Sequence, residues 1–190
     1  MKFIDKNTIK LDKVLNKLDE FVIDFIKILE KHTRYVIISG YVAILFGRSR
    51  GTEDVDVFIK ELTEGNFFIL YKDLLKNGYW CLNTDDEKEA YEYLERGSAL
   101  RFALKDRTIP NFEIKFAKKP LQKEIFEDTI KVVTKKAELI ISSLERQIAF
   151  KKYYLKSNKD LEDARHIEEL FKEHIDLNKI KYYKKLIEDE

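Results

Sequence analysis

Residues 37 to 59 constrain the fold of this chain more than any other segment. A hydrophobic stretch leads through a small turn and an arginine-bearing loop into the run Asp54-Val-Asp56-Val-Phe-Ile59. Side chains alternate between the two faces of a strand, so Asp54 and Asp56 share one face while the apolar residues between and after them share the other. The pattern predicts two strands of one sheet that carries a pair of carboxylates on its polar face.

The residue types around this pair suit a phosphate ligand and a metal ion. Two carboxylates about 7 Å apart along a strand offer the oxygen ligands that Mg²⁺ prefers. Ahead of them, Gly40 allows a ligand to approach the backbone, the helix that follows offers unpaired N–H groups, and Ser39 adds a hydroxyl. Arg50 lies on the loop before the aspartates, where a guanidinium can either bind phosphate oxygens or pin its loop to Asp54 or Asp56.

Composition narrows the class of protein. The chain has 190 residues, enough for one substantial domain or a core with a helical extension. Its 36 lysines and arginines nearly balance 35 acidic residues, so no overall basic field indicates nucleic-acid binding. The single cysteine, Cys81, fits a reducing compartment, and the N-terminal residues lack the hydrophobic run of a signal peptide or membrane span. We therefore expect a cytoplasmic protein with no membrane contact.

Hydrophobic periodicity predicts a mixed α/β part followed by a helical part. Apolar residues at spacings of three and four predict helices over 8–32, 40–46, 66–76 and 85–96, a short helix from Pro120, and helices throughout from residue 137 onward. Alternation and short apolar runs predict strands over 35–39, 54–60, 79–82, 99–104, 112–117 and 129–134.

These elements predict an α/β (α+β) fold, with a mixed sheet flanked by helices and followed by a C-terminal helical subdomain. We expect a first domain over residues 1–135 and a helical subdomain over 136–190. Because no linker rich in Gly, Ser or Pro separates them, the two parts should pack together with any substrate cleft between them.

The motif order resembles the nucleotidyltransferase fold of the DNA polymerase β superfamily. More narrowly, it is similar to the small prokaryotic nucleotidyltransferases that include the abortive-infection type IV toxins. The residues that match the pattern Gly-x-x-Arg-x-Thr-x-Asp-x-Asp are Gly47, Arg50, Thr52, Asp54 and Asp56. The preceding turn, usually Gly-Gly or Gly-Ser in such proteins, is Ser-Gly here.

The resemblance implies further site residues. Such proteins carry a third acidic residue on a later strand, and Glu113 is the candidate because its flanking residues are hydrophobic. Lys115 is predicted on the same strand face, where it would either pair with the acids or contact a phosphate. A helix bearing basic residues should lead into Lys-Asp-x-x-Asp, which Lys159, Asp160 and Asp163 match. The implied nucleotide-binding set is Ser39, Gly40, Arg50, Thr52 and Lys159.

The resemblance implies a metal-dependent nucleotidyltransferase. Asp54, Asp56 and Glu113 would be both the catalytic residues and the ligands of two Mg²⁺ ions, with Mn²⁺ as an alternative metal. A nucleoside triphosphate would donate its nucleotide to a hydroxyl of RNA, protein or a small molecule, in a setting such as a toxin–antitoxin system with an antitoxin partner. Two other interpretations stay open: a catalytically inactive member of the fold that binds nucleotide or RNA, and a structural helical adaptor.

Overall fold

The structure, a computed structural model, describes residues 1–189, so the last residue of the predicted helical subdomain lies outside it. Within this range, nine strands form one mixed sheet in the spatial order β1-β2-β8-β9-β3-β4-β7-β6-β5. The predicted α/β (α+β) class, a mixed sheet flanked by helices, is confirmed.

The strands are β1 (Lys2–Asp5), β2 (Thr8–Lys10), β3 (Tyr35–Ile37), β4 (Asp54–Ile59), β5 (Tyr79–Cys81), β6 (Leu100–Leu104), β7 (Asn111–Phe116), β8 (Thr129–Val133) and β9 (Glu138–Ser142). The helices are α1 (Lys17–Leu29), α2 (Gly40–Leu45), α3 (Glu64–Lys76), α4 (Glu87–Glu95), α5 (Pro120–Lys123), α6 (Leu144–Ala149), α7 (Asn158–Leu170) and α8 (Leu177–Glu188). A 3-10 turn (Glu124–Glu127) continues α5, and a π-helical turn (Phe150–Leu155) continues α6.

Aromatic packing on one face of the sheet decides which residues the other face presents. The Phe112 ring on β7 stacks on Phe25 of α1 with centroids 3.8 Å apart, and Phe21 of the same helix lies 4.9 Å from it. Since neighbouring strand residues point in opposite directions, this packing turns Glu113 to the other face. On β4 the buried residues Val55, Val57 and Ile59 alternate in the same way with Asp54 and Asp56.

The prediction of one helix over residues 8–32 is wrong in its first half. Residues 2–10 form the β1–β2 hairpin, and β2 adds to the sheet parallel to β8. Helix α1 starts only after Asn16, whose side chain and that of Asp19 cap each other's backbone N–H groups. Val14, counted in the helical stripe, is 94% exposed. The hydrophobic residues before the cap therefore followed helical spacing by coincidence.

The prediction of helix from residue 137 onward is wrong for residues 138–142. This segment is β9, which lies between β8 and β3. Leu139 and Ile141 are fully buried on one side of the strand, while Ile140 packs partly buried on the other. A short run rich in isoleucine fits both the helical and the strand periodicity. Here the segment forms a strand because it lies between two other strands of the sheet. The predicted division between residues 135 and 136 stays a prediction.

The other helices pack in two groups. Helices α3 and α4 lie on the aromatic face of the sheet, where Tyr71 contacts Phe102 and Tyr91 contacts Phe116. Helix α6 packs against α7 and α8, and α7 packs against α2, which begins at Gly40. None of the helices in residues 1–189 combines the length and apolar character needed to cross a bilayer.

Candidate functional site

The strand register brings the three predicted acidic residues together. β4 and β7 run parallel, and Asp56 lies directly opposite Glu113. Two residues along the strands on either side of this pair, Asp54 is opposite Asn111 and Phe58 is opposite Lys115. Because directly opposed residues on one sheet face have neighbouring side chains, Asp54, Asp56 and Glu113 form one acidic cluster, as the sequence predicted.

Asp56 has the most unfavourable electrostatic environment of the three. Burial raises its pKa to about 6, and the charges of Asp54 and Glu113 add to that rise. Lys115 and a hydrogen bond from the Ser39 side chain oppose it. Lys115 therefore does not fully offset the effects of burial and of the two neighbouring acids on Asp56. A bound cation would relieve the repulsion among the carboxylates.

Ser39 adopts a backbone conformation that favours glycine. Its φ of 65° and ψ of −136° lie in a region that costs a residue with a Cβ on the order of 1–3 kcal/mol. The next residue, Gly40, begins α2. The Ser-Gly order of this turn therefore places the strained conformation on Ser39. The Ser39 side chain hydrogen-bonds to Asp56.

Glu113 is tied to two cations. Arg101 on β6 donates to Glu113 Oε2 from Nε at 3.2 Å and from Nη2 at 3.1 Å. Lys115 Nζ lies 2.6 Å from Oε1, so of the two contacts left open for this lysine the structure shows the pairing with an acid. Partial burial acts to raise the pKa of Glu113, but the hydrogen bonds and charges of these two residues outweigh it and lower that pKa.

A cleft of about 280 Å³ opens next to Asp56. Ser39, Asp56, Phe58 and Lys115 line it from the sheet, and α6 with its π-helical turn forms the opposite wall. Basic side chains outnumber acidic ones on its surface: the lining residues Lys115, Lys119, Arg146 and Lys151 face the single acid Asp56. The aromatic rings of Phe150 and Tyr154 also line the cleft. This composition suits an anionic ligand with a flat apolar part.

Arg50 does not reach this cleft. Its guanidinium lies against Gly40, where a Cβ would come within 3.1 Å of Nη2. Nη1 donates to Asp163 Oδ2 at 2.5 Å, so the loop is anchored to α7 rather than to Asp54 or Asp56. A side chain at position 40 would therefore crowd Arg50, whose guanidinium would have to shift by a few tenths of an ångström.

Asp163, which ends the Lys-Asp-x-x-Asp match, is the centre of a buried ion cluster that the sequence did not predict. Its side chain is 0% exposed and accepts hydrogen bonds from Arg48 Nε at 3.1 Å, Arg50 Nη1 and Lys151 Nζ at 2.9 Å. Lys151, with 1% of its side chain exposed, also lies 3.3 Å from Asp160. This Asp163 cluster fixes the loop before β4 and holds Lys151 in the cleft wall.

Lys151 and Arg146 are the cleft residues that the sequence prediction missed. The resemblance indicated a basic helix here but did not say which of its residues face a ligand. The wall residues Arg146, Phe150 and Tyr154, and likewise Gln147 and Lys151, lie three to four residues apart, so they share one side of α6 and its π-helical turn. Arg146 Nη1 and Nη2 both donate to the carbonyl of Leu121, and its guanidinium lies 4.7 Å from the Tyr183 ring centroid.

Besides Arg50, the predicted site residues outside the cleft lining are Gly40, Thr52, Asp54, Glu113 and Lys159. Thr52 Oγ1 donates to the Asp54 carbonyl at 2.9 Å and lies 3.3 Å from Asp54 Oδ1, so it orients that aspartate. Lys159 is exposed in the first turn of α7. The role of Thr52 and Lys159 as nucleotide-binding residues stays a prediction.

The donor set fits a hard cation at Asp54 and Asp56 better than at Glu113. Asp54 and Asp56 offer carboxylate oxygens that repel each other, which is the chemistry that a divalent cation neutralises. Both oxygens of Glu113 are engaged by basic groups. Correspondingly, no three His, Cys, Asp or Glu side chains in residues 1–189 stand ready as a ligand group.

A larger cavity, of about 360 Å³, lies where β3 and β9 part beyond their contact at Ile37 and Ile141. Arg34, Tyr35 and Phe126 are among its lining residues, and it contains none of the predicted site residues. The cleft beside Asp56 is therefore the candidate site.

Comparison with known proteins gives a fold but no close relative. No family model matches the chain, and no curated protein matches it. Among solved structures, it is similar to an antigenic nucleotidyltransferase-like protein from Paracoccidioides brasiliensis, with a TM-score of 0.55 and 15% identity over 90% of this chain and 87% of that chain. The antibiotic-resistance factor ANT(2'')-Ia aligns with a TM-score of 0.49 and 14% identity over 90% of this chain and 93% of that one. The first of these likenesses shows that the chain has a nucleotidyltransferase-like fold.

Proposed function

We propose that this protein is a magnesium-dependent nucleotidyltransferase. The observation that carries the proposal is the meeting of the acidic cluster with a basic cleft: Asp56 lies at the edge of a space lined by Lys115, Arg146 and Lys151. A nucleoside triphosphate with its bound metal ion matches both parts of this site. Its negative phosphates pair with basic side chains, and its metal ion binds carboxylates.

The residues of the cleft have distinct roles in this proposal. Asp54 and Asp56 would hold Mg²⁺, or Mn²⁺, and Glu113 would complete the acidic cluster when two ions bind. The triphosphate would rest against Ser39 and Gly40. Its charge would be neutralised by Lys151, which replaces Arg50 and Lys159 as the leading phosphate contact, because Lys151 lines the cleft and the other two do not.

The reaction would move a nucleoside monophosphate to an acceptor. An acceptor hydroxyl would give its proton to one carboxylate of the cluster, and its oxygen would bond to the α-phosphorus while the bond to pyrophosphate breaks. Bound metal would supply charge neutralisation for the phosphates and the departing pyrophosphate. The chain's own contribution is to align the hydroxyl and the phosphorus, and the rigid β4–β7 pair is suited to that positioning.

The acceptor and the biological setting belong to the proposal as well. The acceptor group would be a hydroxyl of RNA, protein or a small molecule. If the enzyme acts in a toxin–antitoxin system, an antitoxin partner would control it. We place this activity in the cytoplasm, where nucleoside triphosphates and Mg²⁺ are abundant and the single Cys81, buried in the core, stays reduced.

The test is nucleotide transfer by matched variants. The protein would be incubated with each labelled nucleoside triphosphate, Mg²⁺ or Mn²⁺, and total RNA or protein extract. Asp54→Asn and Asp56→Asn should each lower the rate by at least about a thousand-fold, because each removes a charged ligand without changing side-chain size. Asp85→Asn, at an exposed acid away from the cluster, should leave the rate unchanged. Equal transfer by all four proteins would contradict the proposal.

One observation favours a second candidate, a catalytically inactive protein that binds nucleotide or RNA. Both oxygens of Glu113 are engaged by Arg101 and Lys115, which an inactive descendant of the fold could keep permanently. This candidate predicts triphosphate binding with no transfer under either metal. It also predicts that Asp56→Asn strengthens binding, since the variant removes a negative charge that no metal offsets.

A further inference from the structure

Glu113 is held by two basic residues, Arg101 and Lys115, that differ in how exposed their side chains are. Arg101 lies directly opposite Glu113 on the antiparallel strand β6 and contacts Oε2 through two nitrogens, at 3.2 and 3.1 Å. Its side chain is 54% exposed, whereas that of Glu113 is 12% exposed. Lys115 contacts the other oxygen and lines the cleft. A carboxylate that is 12% exposed therefore depends on a solvent-facing guanidinium for the contacts of one of its two oxygens.

We propose that Arg101 is a positioning residue for Glu113, and that Arg101 and a divalent cation are mutually exclusive partners of this carboxylate. The inference rests on the proposed function, because it assumes a cation at Asp54 and Asp56. Without the cation, Arg101 holds Glu113 opposite Asp56 and offsets part of the negative charge of the cluster. When a cation engages Glu113, Arg101 has to leave.

The exposure of Arg101 decides which partner yields. Releasing a guanidinium to water is inexpensive when the group is already half exposed, since exposed ion pairs contribute only about 0.2–1 kcal/mol. Lys115 stays beside the cleft in either state, where it can pair with a carboxylate or a phosphate. Arg101 therefore acts as a replaceable counter-ion that lowers the affinity of the cluster for metal.

Direct titration with Mn²⁺, followed by electron paramagnetic resonance in the absence of nucleotide, tests the inference without relying on activity. Arg101→Gln should bind Mn²⁺ about three- to five-fold more tightly than the wild type, because the cation no longer competes with the guanidinium. Arg101→Lys keeps the charge but loses the two-nitrogen contact, so its affinity should lie between those of the other two. A residue with a purely structural role would weaken binding on removal or leave it unchanged.

Arg107→Gln is the matched control. Arg107 is an exposed arginine just beyond β6, and within residues 1–189 its side chain makes no ion pair. Its removal changes net charge by the same amount without touching Glu113, so the Mn²⁺ affinity should stay within about two-fold of the wild type. A second check uses Glu113→Gln, in which the added change Arg101→Gln should no longer tighten binding.

The outcomes separate this inference from the proposed function. If Mn²⁺ binds the wild type no better than Asp56→Asn, the proposed cation site fails and the inference fails with it. If the wild type has a site that depends on Asp56 but Arg101→Gln does not tighten it, or Arg107→Gln tightens it equally, the inference is overturned while the proposed function stands.

Discussion

The acidic cluster of the sheet and the Asp163 cluster treat a buried carboxylate in opposite ways. Asp56 faces two other acids, and its raised pKa reflects that crowding. Asp163 is more deeply buried, yet three basic groups surround it. The charge of Asp56 is only partly offset, whereas that of Asp163 is fully paired. This is the difference expected between a ligand-binding site and the scaffold that positions it.

Removing the Asp163 carboxylate should have the largest effect on folding. Asp163→Ala leaves Lys151, 1% exposed, as a buried charge with only Asp160 for a partner, removes the acidic partner of Arg50, and leaves Arg48 paired with Glu162 alone. We expect the free energy of unfolding to fall by about 3–5 kcal/mol, measured by urea denaturation. Glu162→Gln is the control, since its pairing with Arg48 is exposed and should contribute less than about 1 kcal/mol. Similar losses in the two variants would remove the distinction between the regions.

Neutralising Asp56 should have the opposite sign. Because the pKa of Asp56 in the folded protein is about 6, above its ordinary value near 4, the folded state holds this proton longer than the unfolded state. The stability of the wild type therefore falls as pH rises from about 4 to about 6 and stays lowered above that range. Asp56→Asn lacks this penalty, so at pH 8 it should be more stable by on the order of 2–3 kcal/mol.

The pH dependence makes this prediction specific. The advantage of Asp56→Asn should shrink as pH falls from about 6 and vanish below about pH 3, where this carboxyl is protonated in both the folded and the unfolded wild type. Urea denaturation of both proteins between about pH 3 and pH 8 measures it. A variant that is less stable than the wild type at pH 8 would mean that Asp56 is stabilised by contacts in the folded protein rather than strained.

The smallest effect is expected at Lys115. This lysine lowers the pKa of Asp56 and pairs with Glu113, so Lys115→Met should move the pKa of Asp56 further upward. The cost in stability should stay within about 1 kcal/mol, because the side chain is 37% exposed. Carboxyl ¹³C chemical shifts report the titration. Lys118→Met, which removes a lysine paired with Glu95 instead, should leave Asp56 unchanged; a downward shift in Lys115→Met would contradict the account.

The sequence predicted the central strands and the acidic cluster because both depend on local alternation. The pattern around Asp54 and Asp56 and that around Glu113 each specify one buried and one polar face, and two such strands in one sheet bring the acids together. The predicted position of Lys115 on the same strand face as Glu113 follows from the same alternation.

Local patterns failed where tertiary partners decide the outcome. β9 is a strand because it lies between two others, which no count of spacings over residues 138–142 can show. Arg50 pairs with Asp163, 113 residues later, in preference to the acids a few positions away. Lys151 is held in the cleft wall by Asp163 of α7, a tertiary contact that the spacing of residues in its own helix does not reveal.

Diffraction from crystals soaked with Mn²⁺ and a non-hydrolysable nucleoside triphosphate analogue tests the central claim most directly, because the anomalous signal of Mn²⁺ locates the ion. The account predicts an anomalous peak within bonding distance of both Asp54 and Asp56, with the phosphates in the cleft beside Ser39 and Lys151. A nucleotide bound elsewhere, or bound in this cleft with no peak at the two aspartates, would contradict it.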